Sequence, residues 1–366
     1  MVIGVPKEIK THEYRVAMTP PGVKTLVKDG HRVLCEPSLG EGSGFTDQEY
    51  EDAGAALVER EELFGDADLI VKVKEPLPEE FGLFREGQTV FTYLHLAPNR
   101  PLVDMLLNKK IAGFAYETLK HKGGLALLTP MSEIAGRMST LMAAFYLQRP
   151  LGGVGVLPPG VAGVPPANIV ILGAGVVGAN AARIAMDLGM HVTVLNRGVE
   201  KLHELEQMYS GRILNTLPAT EDNIRGSLLE ADAAIGAVLV PGGKAPVLVD
   251  RKLVSDMKKG SVIVDVAIDQ GGCFETSRPT THDDPVYMEE GSLHYCVTNM
   301  PGAYPRTSTL ALTNVTLSYI RSLARLGAEK AAREDRELGS ALNTFGGEIT
   351  HKGLADSIGL PFKKIS

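Results

Sequence analysis

The stretch at residues 168–198, NIVILGAGVVGANAARIAMDLGMHVTVLNRG, decides the interpretation of this 366-residue chain. An apolar strand pattern runs into the sequence Gly173-x-Gly175-x-x-Gly178, a small-residue helix pattern follows, and a second apolar strand pattern ends at Asn196. Gly173 permits a tight turn, Gly175 lets the backbone approach a pyrophosphate, and Gly178 lets the helix pack on the strand. The helix N-terminus adds N–H groups and a partial positive charge for the phosphates. The stretch therefore predicts a dinucleotide-binding βαβ unit.

The end of the second strand bears on the choice between NAD and NADP. An acidic residue at this point usually binds the ribose hydroxyls of NAD, but this chain has Asn196 followed by Arg197. An amide can hydrogen-bond a hydroxyl without repelling a 2′-phosphate, and an arginine can attract one. We therefore predict NAD as the cofactor and leave the use of NADP open.

The same alternation of strand and helix patterns fills most of the chain. Apolar strand patterns lie at 2–5, 31–36, 68–74, 89–96 and 111–118, with helix patterns between them. A second series begins at Asn168. The alternation predicts an α/β fold with two Rossmann-like, doubly wound parallel-sheet domains and an interdomain cleft.

Two long helix patterns, at 131–149 and 308–326, are expected to link the domains, and Ser132 is expected to cap the first of them. The chain after the second helix is expected to return to the first domain. The predicted ranges are 1–130 plus 305–366 for a substrate (catalytic) domain and 131–304 for an NAD-binding Rossmann domain.

Composition and charge exclude several classes of function. The formal net charge is −7 and the chain has no basic run, which argues against a nucleic-acid partner. Apolar stretches end well before the roughly 20 residues that a membrane span needs, and the start, MVIGVPKEIK, lacks a signal-peptide pattern. The three cysteines are scattered and form no CxxC or Cys/His cluster, so no metal site is predicted. A reducing cytoplasm is the expected compartment.

Polar residues follow several strand patterns of the first domain. Arg15 comes shortly after the first strand, Lys74 ends the third, and His95 ends the fourth. Each has an ordinary structural explanation alone, but the carboxyl ends of parallel strands share one edge of a sheet, where ligands bind. Together the three residues predict a site for a small carboxylate with a titratable group. Lys72, on the same strand as Lys74, is expected to be solvated or paired.

Longer motifs are spread over almost the whole chain, with the loosest stretches at about 199–230 and 325–345. They are GVPKEIKTHEYRVAMTPPGV, VKVKEP, FTYLHLAP, AYET, LTPMSEIAGR, VILGAGVVG, GAVLVPGGKAP, VDVAIDQGGCFETSRPTTHDDP, NMPGAYPRTST and ALTN. These motifs resemble the L-alanine dehydrogenases. The larger family also includes the dinucleotide-binding subunit of proton-translocating transhydrogenase and the saccharopine dehydrogenases.

The resemblance implies the reversible, NAD-dependent oxidative deamination of L-alanine to pyruvate and ammonium, a step of L-alanine catabolism. It implies that Arg15 and Lys74 hold the substrate carboxylate and oxo group and that His95 is the general acid/base. It also implies that Asp269 lies between nicotinamide and substrate. The implied cofactor contacts are Ser132, Gly173, Ala174, Gly175, Val176, Val177, Gly178, Asn196, Arg197, Lys201, Val238, Leu239, Ile268, Asp269, Asn299 and Met300.

Two other functions remain open at this point. One is hydride exchange between nucleotides, as in a transhydrogenase, and the other is a non-catalytic NAD(H) sensor. A sensor would have no reason to keep Arg15, Lys74, His95 and Asp269 together. The resemblance further implies a homohexamer without nucleic-acid or membrane partners.

Overall fold

The structure, a computed structural model, describes residues 1–238 and 245–365. The chain divides into two compact units, one formed by Met1–Met131 with Gly302–Ser366 and the other by Ser132–Pro301. The first division falls inside a long helix. The assignment of substrate to one unit and of dinucleotide to the other stays a prediction.

Helices and strands alternate along the described residues. The strands are β1 Val2–Val5, β2 Arg32–Cys35, β3 Ala56–Leu57, β4 Leu69–Val71, β5 Thr89–Thr92, β6 Ala112–Ala115, β7 Lys120–His121, β8 Gly124–Leu125, β9 Asn168–Leu172, β10 His191–Asn196, β11 Leu214–Pro218, β12 Ala233–Gly236, β13 Val262–Asp265, β14 Val286–Glu289, β15 Ser292–Tyr295, β16 Leu342–Phe345 and β17 Glu348–Ile349. The α-helices are α1 Pro20–Lys28, α2 Asp47–Asp52, α3 Arg60–Asp66, α4 Pro78–Phe81, α5 Arg100–Asn108, α6 Thr129–Tyr146, α7 Val176–Asp187, α8 Val199–Met208, α9 Glu221–Leu229, α10 Arg251–Asp256, α11 Pro305–Leu326, α12 Ala328–Glu334, α13 Arg336–Ala341 and α14 Lys352–Ile358.

The first unit is built on a sheet whose described strands lie in the order β17-β16-β6-β5-β4-β1-β2-β3. Strands β1 to β6 are parallel, and β16 and β17 add an antiparallel edge beside β6. From β3 to β6 the order is 3-2-1-4-5-6, which is the Rossmann order. The carboxyl ends of β1, β4 and β5 are therefore neighbours on one edge.

The second unit repeats this order for its first five strands. Its described strands lie in the order β11-β10-β9-β12-β13-β15-β14, and β14 runs antiparallel to β15. Alternate residues of β9 face opposite sides, with Ile169 and Ile171 in one apolar cluster and Val170 and Leu172 in another. A sheet covered on both faces is expected for a doubly wound fold. The predicted α/β class with two Rossmann-like sheets is confirmed.

Some elements differ from the sequence prediction. Helix α6 begins at Thr129, so Ser132 lies within its first turn and does not cap it, because the helix starts earlier than the pattern indicated. After α11 the chain forms two short helices, α12 and α13, which are separated at Asp335. The Asp335 carboxylate accepts the backbone N–H groups of Glu337 and Leu338, which starts a new helix there. In the described parts of the chain, no helix combines the length and the apolarity needed to cross a membrane.

Candidate substrate and dinucleotide sites

Arg15 lies after β1, and its guanidinium forms a buried bidentate pair with the carboxylate of Glu13. Its Nε donates to Glu13 Oε1 at 2.6 Å and its Nη2 donates to Glu13 Oε2 at 2.5 Å. Its Nη1 contacts the sulfur of Met131 at 3.0 Å. Burial by itself would lower the pKa of Arg15, but the Glu13 carboxylate outweighs it and the pKa of Arg15 is raised. The guanidinium is therefore a fixed cation, oriented by two parallel hydrogen bonds.

Lys74 presents a different kind of cation. It lies just past the end of β4 and is partly buried. Among the residues that the structure describes, none forms a hydrogen bond or ion pair with the Lys74 ammonium. Burial, followed by the positive charge of Arg15, lowers the pKa of Lys74. An anion that binds beside Lys74 would stabilise its charged form, which supports a role of Lys74 in binding a carboxylate.

Lys72 is buried and paired, so the part of the expectation that allowed solvation is wrong. Its side chain is 1% exposed, and its Nζ lies 2.8 Å from Glu80 Oε1 and 3.3 Å from Glu8 Oε2. Arg60 also reaches Glu80 Oε1, at 3.1 Å. These contacts bury the ammonium among opposite charges, which explains why an apolar strand can carry a lysine here.

His95 lies just past β5 in a left-handed backbone conformation, with φ at 46°. Its ring stacks on that of Tyr93, with 6.0 Å between the ring centroids. Tyr93 is fixed by a hydrogen bond of 2.6 Å from its hydroxyl to the Leu127 carbonyl. His95 itself is exposed, so its imidazole is open to a ligand. The three predicted residues Arg15, Lys74 and His95 thus share the carboxyl edge of three neighbouring strands.

The glycine loop between β9 and α7 has the geometry that the fingerprint predicts. Gly173 has φ at 112°, and a Cβ there would lie 2.6 Å from the Ala237 carbonyl oxygen. A Cβ at Gly178 would lie 1.9 Å from the Gly173 carbonyl oxygen. By contrast, a Cβ at Gly175 would meet none of the described atoms within 4 Å. The loop is closed against the sheet and open at Gly175, which fits a pyrophosphate approaching the start of α7.

The Asn196 side chain is committed to this loop. Its Oδ1 accepts the Ala174 N–H at 3.1 Å, and its Nδ2 donates to the Gly198 carbonyl at 2.9 Å. Arg197 is exposed beside it, and Lys201 on α8 lies 2.6 Å from Glu204. Asn196 therefore stabilises the glycine loop through two hydrogen bonds, and the side chains of Arg197 and Lys201 lie on the surface.

Helix α6 packs closely on the beginning of α7. A Cβ at Gly136 would lie 2.3 Å from the Val177 carbonyl oxygen, and the Thr140 hydroxyl donates to the Ala181 carbonyl at 2.9 Å. Ser132 lies one turn before Gly136 on the same face of α6. Ser132 is half-buried, and its contact with the cofactor stays a prediction.

Asp269 and Ile268 belong to a 3-10 turn, Val266–Gln270, that follows β13. Asp269 is exposed, whereas Ile268 is buried. The turn is organised by Asp265, a fully buried carboxylate that the sequence analysis did not single out. Asp265 accepts the N–H of Cys273 at 2.8 Å and the hydroxyl of Ser277 at 2.7 Å. Burial, the largest influence, raises the pKa of Asp265.

The remaining predicted contacts lie at other loop ends of the second unit. Val238 follows β12 and is half-buried, and Leu239 lies outside the described residues. Asn299 has a positive φ of 57°, and Met300 is buried at the start of a 3-10 turn. Val238, Ile268 and Asn299 thus follow three parallel strands of one sheet, where a Rossmann fold binds its ligand.

Three glutamates of the first unit were missed by the sequence reasoning. Glu8, Glu13 and Glu117 contact the site residues or their backbone. Glu8 and Glu13 lie in GVPKEIKTHEYR and Glu117 lies in AYET, motifs that carried the resemblance. Their position close to the end of a predicted strand was the sequence feature that could have identified these glutamates.

Comparison with known proteins gives a consistent result along the chain. A family model described as "Alanine dehydrogenase/PNT, N-terminal domain" matches residues 4–135, and its C-terminal counterpart matches residues 139–352. An alanine dehydrogenase from Halomonas elongata is 51% identical over 364 residues, which cover 99% of this chain and 98% of that protein. A solved L-alanine dehydrogenase has a TM-score of 0.95 at 47% identity and covers 98% of this chain and 99% of its own. A solved transhydrogenase from Sinorhizobium meliloti has a TM-score of 0.81 at 26% identity and covers 96% of this chain and 99% of its own.

Proposed function

This chain belongs to the alanine dehydrogenase/PNT family, and we propose that it catalyses the NAD-dependent oxidative deamination of L-alanine to pyruvate and ammonium, reversibly. It is an oxidoreductase acting on the CH–NH₂ group of a small amino acid. The observation that carries the proposal is the set of side chains after β1, β4 and β5. There, a fixed guanidinium, an unpaired ammonium and an exposed imidazole follow three neighbouring strands.

In the proposed mechanism Arg15 and Lys74 bind the anionic part of the substrate. Arg15 keeps its charge at every working pH because Glu13 raises its pKa. Lys74 gains a hydrogen-bond acceptor when the substrate binds, either an oxygen of the anionic carboxylate or the neutral oxo group of pyruvate. The two cations fix the orientation of the amino acid, which lowers the entropy cost of reaching the transition state.

His95 supplies the proton transfers. Bound NAD would supply the acceptor for the hydride that leaves the substrate Cα. The resulting imine is electrophilic, and His95 removes a proton from the attacking water and returns one to the leaving ammonia. Asp269, in the turn after β13, would contribute a negative charge opposite to that of the iminium form of this intermediate. General acid/base catalysis of this type contributes roughly 10²–10⁴-fold in rate.

The glycine loop, α7 and the ends of β12 and β13 support NAD as the cofactor. The open space at Gly175 and the N-terminus of α7 suit the pyrophosphate. Arg197 remains a candidate to attract the 2′-phosphate of NADP, so we propose a preference for NAD with residual NADP use. Comparison of kcat/KM for the two cofactors tests this, and a preference for NADP would contradict it.

The test of the function is L-alanine-dependent NADH formation, measured at 340 nm with the wild-type protein. His95→Ala should lose at least 100-fold in kcat and retain NAD binding, because the imidazole acts only on substrate protons. His203→Ala, which removes an exposed histidine of α8, is the matched control and should keep full turnover. Near-normal turnover of His95→Ala would remove His95 from the mechanism.

A second candidate function is hydride exchange between nucleotides, favoured by the similarity to the transhydrogenase structure. It predicts hydride transfer from NADPH to an NAD analogue without L-alanine. A non-catalytic sensor predicts NAD(H) binding with no turnover of either kind. The L-alanine assay, run beside these two, separates the three functions.

We also propose a homohexamer in the cytoplasm. The hexamer rests on the family resemblance, and light scattering of the purified protein tests it. The cytoplasmic location is supported by Cys35, Cys273 and Cys296, which are all buried and unpaired.

A further inference from the structure

Each of the three polar residues of the substrate site has its backbone N–H directed at a glutamate. The Arg15 N–H donates to Glu13 Oε1 at 3.1 Å, and the His95 N–H donates to Glu117 Oε1 at 2.6 Å. Glu8 Oε1 accepts the Val73 N–H at 2.6 Å and the Lys74 N–H at 3.4 Å. The contacts of Lys74 and His95 therefore lie just beyond the ends of two neighbouring strands, β4 and β5.

The contacts occur where the sheet ladder stops. The backbone pairing of β4 and β5 continues through the Lys72 N–H, which donates to the Phe91 carbonyl, and the Tyr93 N–H, which donates to the Val73 carbonyl. The N–H groups that follow on each strand need other acceptors. Glu8 follows β1, the neighbour of β4, and Glu117 follows β6, the neighbour of β5. Each carboxylate reaches across to the adjacent strand end and replaces the missing ladder bond with a charge-assisted one.

Glu117 acts on a strained position. His95 has φ at 46°, a left-handed conformation that residues other than glycine rarely adopt. The carboxylate accepts two successive N–H groups, from Leu94 and His95. Two successive N–H groups on one anion require the chain to turn there, and the imidazole at this turn is exposed and stacked on Tyr93. The acid/base group thus depends on Glu117 for its direction.

Glu8 acts from a buried position. Its side chain is 3% exposed, and its second oxygen is paired with the Lys72 ammonium at 3.3 Å. Burial, as the largest influence, raises the pKa of Glu8, and Lys72 opposes that shift. The Lys72 ammonium holds one Glu8 oxygen in place, while the other oxygen accepts the N–H groups of Val73 and Lys74. The unpaired ammonium of Lys74 is placed by this support.

We propose that Glu8 and Glu117 are positioning residues of the substrate site, Glu8 for Lys74 and Glu117 for His95. The inference rests on the proposed function of Lys74 and His95. It also predicts that the two carboxylates affect different kinetic steps. Loss of the Glu8 support should act on substrate binding, and loss of the Glu117 support should act on proton transfer.

Two amide variants test this division with the full chain, NAD and L-alanine. Glu117→Gln should lower kcat roughly 10-fold to 100-fold with an unchanged KM for NAD, since it weakens two charge-assisted hydrogen bonds. Glu8→Gln should raise the KM for L-alanine roughly 10-fold with a smaller change in kcat. Glu117→Asp and Glu8→Asp keep the charge but shorten the reach, and they should show the same two patterns.

Asp68→Asn is the matched control. The Asp68 carboxylate also accepts a backbone N–H, that of Val2 at 2.8 Å, but it does so at the amino end of β1. This variant should keep wild-type kcat and KM. Far-UV circular dichroism checks that each variant folds, and the aspartate variants replace any amide variant that does not.

The outcomes separate this inference from the proposed function. If the wild type does not oxidise L-alanine, the proposed function fails and the inference fails with it. If the wild type is active and the Glu8 and Glu117 variants behave like Asp68→Asn, the inference alone is overturned. Equal losses in kcat and in the KM for L-alanine for both sites would also overturn it, because general destabilisation does not distinguish Lys74 from His95.

Discussion

Replacement of Lys72 by Met should destabilise the protein although Lys72 contacts no substrate. The side chains have similar length, so the change removes a charge without opening a cavity. Removal of one partner of a buried ion pair costs about 3–5 kcal/mol of unfolding free energy. We expect about 3 kcal/mol, because Glu80 keeps Arg60 at 3.1 Å and Glu8 keeps the Val73 N–H at 2.6 Å.

Urea unfolding followed by far-UV circular dichroism measures this effect. With an m-value of about 2 kcal/mol/M, a loss of about 3 kcal/mol moves the urea midpoint down by roughly 1.5 M. Lys110→Met is the control, since the Lys110 ammonium lies 2.6 Å from Glu86 but both side chains are more than half exposed. The control should leave the midpoint unchanged, because exposed pairs are screened by water.

The pH dependence of Lys72→Met identifies the group that is left without its partner. Burial raises the pKa of Glu8 above its usual 4.5, and loss of Lys72 raises it further. A carboxyl with a raised folded-state pKa favours folding below its unfolded pKa, and that contribution is lost as the pH rises through the folded-state pKa. The loss of unfolding free energy in Lys72→Met, relative to the wild type, should therefore be smaller at pH 5 than at pH 8. Adding Glu8→Gln should recover part of the lost unfolding free energy at pH 8. A urea midpoint of Lys72→Met equal to that of Lys110→Met would show that the buried Lys72 ion pair does not stabilise the fold.

Two further predictions concern the binding sites. Burial and Arg15 lower the pKa of Lys74, so the Kd of pyruvate in the presence of NADH should rise as the pH increases towards 10. Lys74→Arg should remove that rise, and a pH-independent wild-type Kd in isothermal titration calorimetry would contradict it. Gly175→Ala should raise the KM for NAD at least 10-fold with an unchanged melting temperature, because its methyl group meets open space that the pyrophosphate needs. Gly178→Ala should lower the melting temperature as well, since its Cβ would lie 1.9 Å from the Gly173 oxygen, and equal melting temperatures would refute the distinction.

The dinucleotide loop and both Rossmann sheets could be predicted from the sequence because their signals are local. Strand patterns of four or more apolar residues identified β1, β5, β9 and β13. The two-residue strands β3 and β17 were not predicted, since two residues carry no periodic pattern. The strands β16 and β17 follow a charged helical stretch, and the pairing of β16 with β6 is a long-range contact that local patterns do not encode.

Lys72 and Lys74 show where sequence reasoning reaches its limit. Both are lysines two residues apart, and strand alternation places them on the same side. The resemblance assigned substrate binding to Lys74, but the charge environment of each lysine depends on Glu8, Glu13 and Glu80, which reach them through the fold. The pairing of Lys72 and the unpaired state of Lys74 thus follow from tertiary contacts.

Glu8 contributes both to the stability of the fold and to the substrate site, because its two oxygens have different partners. One oxygen accepts the N–H groups of Val73 and Lys74, and the other faces the Lys72 ammonium. The Lys72–Glu8 contact of 3.3 Å fixes the carboxylate on the side opposite to the N–H groups that it accepts. Lys72 therefore supports the substrate site through the position of Glu8. It follows that Lys72→Met, assayed at a temperature where it remains folded, should resemble Glu8→Gln in its KM for L-alanine, even though Lys72 lies outside the site.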